Sequence, residues 1–176
     1  MTNLKIDRER LWSNLMETAA IGGTPKGGIC RLSLSEFDRQ VRNWFIARCE
    51  ALGCTVTIDR IGNIFARRRG RDDSLPAIGF GSHLDTQPTG GKFDGPLGVL
   101  AGLEVLQTLE DAGYETAAPL ELVNWTNEEG ARFSPSMMGS AVFTGKSTLD
   151  EVSARLDKDG ISVGAALDSI GFAGPA

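Results

Sequence analysis

Histidine is almost absent from this sequence, which contains one, His83, in 176 residues. Cysteine is scarce as well, because Cys30, Cys49 and Cys54 make an odd number and no two of them are spaced as CxxC. These counts disfavour both a disulfide framework and a cysteine-ligated zinc site. We therefore expect reduced thiols in a cytoplasmic protein.

The sequence also lacks a surplus of positive charge and any long apolar run. Lys and Arg total 18 against 23 Asp and Glu, which gives a formal net charge of −5. A basic face for nucleic acid or for an anionic membrane is therefore not expected. No apolar stretch approaches the roughly 20 residues of a membrane span. Residues 1–10 are charged and lack the apolar segment of a signal peptide.

The sequence does contain a succession of helix and strand patterns. Amphipathic spacing predicts helices at residues 7–20, 36–52 and 99–109, and shorter ones at 137–143, 150–156 and 163–170. Alternating or continuous apolar residues predict strands at 54–59, 64–68, 77–81 and 120–126, of which the first two form a hairpin. This order predicts an α/β fold in which helices flank a mostly parallel central sheet.

Polar residues follow two of the predicted strands and precede one predicted helix. His83 and Asp85 follow the strand at 77–81, Glu128 and Glu129 follow the strand at 120–126, and Asp94 precedes the helix at 99–109. Open α/β sheets bind ligands at the carboxyl ends of their strands. We therefore expect these side chains to meet at one edge of the sheet.

The types of these residues suit a metal. An imidazole with carboxylates and no thiolate fits Zn, Mn, Co or Ni, and Asp85 can accept the second N–H of His83. One glutamate can bind metal while its neighbour acts as a general base. Taken singly, each residue also has a structural explanation: His83 as a buried structural side chain, Asp85 and Asp94 as turn and cap residues, and the glutamate pair as a solvated helix start.

Several segments resemble a known family, the dinuclear zinc peptidases and amidohydrolases. The resemblance is to its hydantoinase/carbamoylase branch, which includes N-carbamoyl-L-amino-acid hydrolases, β-ureidopropionases and allantoate amidohydrolases. It rests on Gly81-Ser82-His83-Leu84-Asp85-Thr86, on Gly91-Lys92-Phe93-Asp94-Gly95, and on Thr126-Asn127-Glu128-Glu129-Gly130-Ala131-Arg132-Phe133 with Ser136-Met137-Met138-Gly139-Ser140 after it. The resemblance implies the N-terminal part of a zinc-peptidase-like catalytic domain, two divalent metal ions and a small ureido or amide substrate. It also implies a homodimer for full-length members.

The resemblance also implies roles for individual residues. His83 would bind one metal ion, Glu129 the other, and Asp94 would bridge them, while Asp85 would orient His83 and Glu128 would be the general base. It implies a cis peptide bond between Asp94 and Gly95. The implied reaction is hydrolysis of the C–N bond of N-carbamoyl amino acids to amino acid, ammonia and CO2. An allantoate amidohydrolase or an aminoacylase or peptidase of the same family is the alternative.

The sequence departs from the family pattern after His83. The family has two further histidine ligands, an inserted dimerisation (lid) domain and a second half of its catalytic domain, none of which has a counterpart before Ala176. We therefore expect residues 1–176 to be the N-terminal portion of the metal-dependent catalytic domain. It would be a truncated gene product, a fragment or one piece of a split protein. A non-catalytic fragment is the alternative from a different class.

Overall fold

The computed structural model describes residues 3–175 and contains every element that the sequence predicts. The elements in chain order are α1 (Arg8–Ala20), α2 (Glu36–Ala51), β1 (Thr55–Ile58), β2 (Ile64–Arg68), β3 (Ile78–His83), α3 (Pro96–Asp111), β4 (Leu120–Trp125), α4 (Met138–Phe143), α5 (Leu149–Ser153) and α6 (Val163–Ile170). The predicted α/β class is confirmed. Two bounds near the predicted site differ from the prediction. Strand β3 continues through His83, and α3 begins three residues before the predicted start.

The helix ends follow local capping chemistry. The Asp7 carboxylate accepts hydrogen bonds from two backbone amides of the first turn of α1, and the Ser35 hydroxyl accepts one in α2. Gly53, at φ +72°, follows the end of α2 in the left-handed conformation that favours glycine. Pro96 occupies the first turn of α3, where its missing N–H costs no hydrogen bond.

The sheet is mixed, so the expectation of a mostly parallel sheet is wrong. Its four strands lie in the order β1-β2-β4-β3, and β2 pairs antiparallel with both β1 and β4. Among the strands of residues 3–175, β3 and β4 form the one parallel pair, with α3 crossing between them. The physical reason is the hairpin: a short turn can join β1 to β2 only as antiparallel neighbours, and β2 then enters the sheet beside β4.

One face of the sheet packs against α2 and α3 to form the core. Helix α3 contacts β3, β4 and α1, while α2 contacts β1 and β2. The fully buried side chains between these layers include Val41, Phe45, Ile64, Leu100, Leu103, Leu106 and Leu122. The opposite face carries a smaller aromatic cluster of Phe65, Trp125 and Phe143, with ring centroids 5.3–5.9 Å apart.

Two further sequence expectations can be compared with the fold. Cys30, Cys49 and Cys54 are all free thiols, as expected. None of the helices within residues 3–175 has the length and apolar character needed to cross a membrane.

Candidate metal centre

The parallel pair β3 and β4 brings the predicted site residues to one edge of the sheet. His83, the last residue of β3, lies opposite Trp125, the last residue of β4. The segments after these two strands therefore leave the sheet side by side. Asp94 approaches the same point because it directly precedes Gly95, the N-cap of α3.

His83, Asp94 and Glu129 converge as the sequence predicts. One nitrogen of His83 and one carboxylate oxygen from each acid all lie within 4.8 Å of one another. His83 is buried, Glu129 is partly buried and Asp94 is exposed. This gradient places the imidazole at the base of the cluster and a carboxylate at its open side.

Both nitrogens of the His83 ring face oxygen atoms. Nδ1 lies 2.9 Å from the Asp85 carbonyl oxygen and 3.6 Å from the Asp85 carboxylate, so the nearer contact is with the backbone. Nε2 lies 3.2 Å from a carboxylate oxygen of Glu128. Burial alone lowers the pKa of His83, but Asp85 and then Glu128 outweigh burial and raise the pKa to about 9. The ring therefore sits in a strongly negative environment, which also attracts a divalent cation.

The Asp85 carboxylate contacts more than the imidazole. Its two oxygens accept hydrogen bonds from the backbone amides of Glu128 and Glu129, at 3.2 and 3.3 Å. Asp85 therefore touches His83 on one strand end and the glutamate pair on the other.

The glutamate pair is held from its other side by backbone pairing. The carbonyl oxygens of residues 126–128 accept hydrogen bonds from the amides of residues 139, 138 and 137 respectively, at 2.7–3.2 Å. Asn127 adopts a positive φ of 51°, and its side-chain amide donates to the carbonyl of Phe133. The turn that presents Glu128 and Glu129 is thus fixed by hydrogen bonds at consecutive residues.

Gly95 closes the site against His83. It adopts φ +80°, and a Cβ atom at this position would lie 2.6 Å from His83 Nε2. The expected cis peptide bond between Asp94 and Gly95 is wrong for this structure, because the cis bond within residues 3–175 is Ser134–Pro135. The positive φ of Gly95 turns the chain into α3 with a trans bond instead.

Sequence reasoning missed two residues that contact this site. Gln87 donates a hydrogen bond of 2.6 Å from its amide to the Glu129 carboxylate. Its position four residues after His83, in the loop that follows β3, was a usable signal. Arg31 donates to the backbone carbonyl of Leu84, between His83 and Asp85. No local pattern marks Arg31, because its partners are distant in sequence.

The residues present fit a divalent metal ion. One imidazole nitrogen and two carboxylate oxygens are a common donor set for Zn, Mn, Co or Ni, and their separations approach the span across one ion with bonds of about 2.0–2.2 Å. The other ring nitrogen, Nδ1, is already engaged by the Asp85 carbonyl. That arrangement is usual for a metal-binding histidine, since it fixes the ring.

Comparison with known proteins identifies the family. Residues 79–168, which contain all five predicted site residues, match the sequence profile of Peptidase family M20/M25/M40. The match covers half of the chain, and the chain therefore belongs to this peptidase family. Its fold matches that of the hydantoinase/carbamoylase amidases, so the resemblance stated from the sequence motifs is confirmed.

Three relatives define how close the similarity is. A crystal structure of a hydantoinase/carbamoylase family amidase from Burkholderia ambifaria is 56% identical with a TM-score of 0.97, over 98% of this chain and 43% of that one. An N-carbamoyl-L-amino-acid amidohydrolase from Rhizobium meliloti is 49% identical over 98% of this chain and 41% of its own length. A ureidoglycolate hydrolase from Oryza sativa subsp. japonica is 33% identical over 95% of this chain and 35% of its own. The chain thus spans less than half the length of these relatives.

Proposed function

We propose that this chain is the N-terminal, metal-binding part of an amidohydrolase that cleaves the C–N bond of N-carbamoyl (ureido) amino acids. The products would be the amino acid, ammonia and CO2. The observation that carries the proposal is the convergence of His83, Asp94 and Glu129 within 4.8 Å, with Glu128 beside them. The 49% identity to an N-carbamoyl-L-amino-acid amidohydrolase supports this choice of substrate class.

In this proposal His83 and Glu129 would each bind a divalent metal ion, and Asp94 would be a ligand of both. Such ions supply Lewis acidity, which lowers the pKa of a water molecule and polarises a substrate carbonyl. The sequence holds one histidine, so two ions need further ligands from outside these residues. Zn is the first candidate, and Mn, Co and Ni suit the same donors.

Glu128 would be the general base. Its side chain is about one-third exposed and reaches the metal-facing nitrogen of His83, so it can contact both substrate and water. It would take the proton of the attacking water and pass it to the leaving amine. Asp85 would keep His83 and the Glu128–Glu129 backbone in register, because it contacts all three.

Two alternatives belong to the same proposal. The 33% identity to a ureidoglycolate hydrolase favours a related ureido substrate, as in an allantoate or ureidoglycolate amidohydrolase, over an aminoacylase or peptidase. The coverage of 41% of the Rhizobium relative fits a non-catalytic fragment as well.

We further propose a cytoplasmic location and, for the full-length protein, a homodimer.

Metal binding tests the site directly. Isothermal titration of the chain with Zn²⁺ should show binding, and His83→Ala, Asp94→Asn and Glu129→Gln should each weaken it by at least about 10-fold. Asp111→Asn is the matched control, because this exposed carboxylate lies at the far end of α3 and pairs with Arg10. Equal affinity of the three ligand variants and the control would show that the ligand assignment is wrong.

Turnover tests the base and the substrate. In a full-length homologue, the substitution that corresponds to Glu128→Gln should retain metal and lower kcat by about 10²- to 10⁴-fold. Release of ammonia from N-carbamoyl amino acids, allantoate and ureidoglycolate distinguishes the substrate alternatives. Unchanged kcat would exclude Glu128 as the base.

A further inference from the structure

Arg31 is a buried arginine without a carboxylate partner. Its side chain is fully buried, and no acid lies within 4.0 Å of it among residues 3–175. Arginine is rarely buried in this way, because removing its charge from water is costly unless a carboxylate compensates. Arg42, the other fully buried arginine within residues 3–175, does have such a carboxylate partner, Asp38.

The guanidinium of Arg31 binds backbone carbonyls instead. Nε donates to the carbonyl of Leu84 at 2.7 Å, and Nη1 donates to the carbonyls of Thr18 and Ile21 at 2.8 and 2.9 Å. Arg31 thereby ties the end of α1 to the segment that leaves β3. Leu84 is the residue between His83 and Asp85, so the bond acts in the middle of the site segment.

The backbone of Arg31 binds the same segment. Its carbonyl accepts a hydrogen bond of 2.8 Å from the amide of Thr86, and its amide donates to the Thr86 hydroxyl at 2.9 Å. Two residues earlier, Ile29 exchanges two backbone hydrogen bonds with Gly90, at 2.9 and 3.0 Å. The chain from Leu84 to Gly90 is therefore held along its length by the segment 29–31.

The charge of Arg31 also reaches the site. Burial lowers the pKa of Arg31 to about 10, although the negative charges of Asp38 and Asp85 act in the opposite direction. The group therefore remains cationic at neutral pH. The positive charge of Arg31 therefore interacts electrostatically with Asp85, whose carboxylate accepts the amides of Glu128 and Glu129.

We propose that Arg31 is a positioning residue of the metal centre, which fixes the Leu84 backbone and thereby the directions of the His83 and Asp85 side chains. It acts on the Glu128–Glu129 turn through Asp85. Where metal affinity is the readout, this inference rests on the proposed function. The inference also predicts local backbone order, and that prediction is independent of the proposed function.

The experiment compares Arg31→Met and Arg31→Lys with Arg68→Met. Arg68 is a matched control because it is also buried and also donates to a backbone carbonyl, that of Tyr114 at 3.0 Å. It pairs with Leu120 at the opposite end of β4 from the site, about 17 Å away at the rise of an extended strand. Each methionine variant removes one buried guanidinium and keeps a side chain of similar length.

Titration of the chain with Co²⁺, monitored by the visible absorption of the bound ion, gives the first readout. Arg31→Met should weaken Co²⁺ binding by about 10- to 100-fold, as losses of supporting groups around metal ligands do. Arg31→Lys should recover part of this loss, because it keeps the charge but not the planar array of donors. Arg68→Met should lower the unfolding midpoint and leave the Kd for Co²⁺ unchanged.

Hydrogen exchange gives the second readout and needs no metal. Arg31→Met should speed amide exchange at Thr86, Glu128 and Glu129, and Arg68→Met should not. Exchange at the wild-type rate at these amides in both Arg31 variants, or equal Co²⁺ affinity of Arg31→Met and Arg68→Met, would overturn the inference.

Failure of the unmodified chain to bind Co²⁺ would instead reject the proposed function, and the exchange data would still decide the positioning role. If Arg31→Met does not fold, Arg31→Lys supplies both measurements.

Discussion

The contact between Gly95 and His83 shows how closely single residues define this centre. His83 packs against the Gly95 backbone, and the imidazole can lie this close only because residue 95 has no side chain. Gly95 also adopts a positive φ, which L-residues with a Cβ rarely take. One residue therefore satisfies a backbone requirement and a packing requirement at the His83 ring.

Gly95→Ala should separate these two requirements. Because the new Cβ would displace the His83 ring, we expect metal affinity measured by calorimetry to fall by at least about 10-fold. Gly53→Ala is the control, since Gly53 has φ +72° and no atom within 4 Å of its added Cβ. Both variants should lose about 1–2 kcal/mol in urea unfolding from backbone strain. Equal metal affinity in the two variants would contradict the packing requirement.

At the scale of elements, α2 is fastened to the site edge by a buried ion pair. Arg42 donates to Asp38 at 2.8 Å, to the carbonyl of Gly62 and to the hydroxyl of Thr126. Burial raises the pKa of Asp38 above its usual range, and the charge of Arg42 opposes this effect. Thr126 immediately follows β4 and precedes the turn that carries Glu128. The helix therefore supports the site although none of its residues enters it.

Loss of one member of this pair should be severe. Asp38→Asn leaves the buried Arg42 guanidinium without its counter-charge, which should lower the free energy of unfolding by about 3–5 kcal/mol. The double variant Asp38→Leu with Arg42→Met should lose less than Asp38→Asn alone. Urea unfolding measures both.

The matched control lies on the same helix. Glu36 and Arg39 form an exposed ion pair, so Glu36→Gln should leave the unfolding midpoint nearly unchanged. An effect of Glu36→Gln as large as that of Asp38→Asn would show that burial is not the cause.

At the scale of the whole molecule, the two edges of the sheet differ. Near β1, the amide of Gly174 donates to the carbonyl of Asp59, so the segment around Gly174 covers part of that edge. Strand β3 has β4 as its one paired neighbour within residues 3–175. Ile78 on β3 is 59% exposed. An exposed apolar edge strand is a template for pairing with another chain.

Ile78→Lys should therefore reduce self-association. We expect light scattering of the unmodified chain to show a mass that rises with concentration, and the charged edge in the variant should suppress that rise. Ile6→Lys is the control, because Ile6 is 52% exposed but lies outside the sheet. Equal suppression by both variants would mean that general solubility, and not the β3 edge, controls association.

The identity and approximate bounds of the helices and strands were determined by the sequence alone. Caps such as Asp7, Ser35 and Gly53 act on amides or carbonyls within a few residues. The helix ends that they define can therefore be predicted from the local sequence. The sequence also marked His83 and Glu129, which follow two apolar strands that end at one edge, and Asp94, which precedes a helix. These three converge because β3 and β4 are parallel neighbours.

Only the tertiary structure decided the sheet directions and the supports of the site. The antiparallel place of β2 between β1 and β4 depends on competition among strands, which the pattern of one strand does not contain. The bonds from the Glu128 amide to the Asp85 carboxylate and from Arg31 to the Leu84 carbonyl join residues 43 and 53 positions apart. In each bond one partner is a backbone group common to every residue, so the sequence carries no signal of which residue the Asp85 or Arg31 side chain will contact. Such contacts exist only after the chain has folded and brought those backbone groups together.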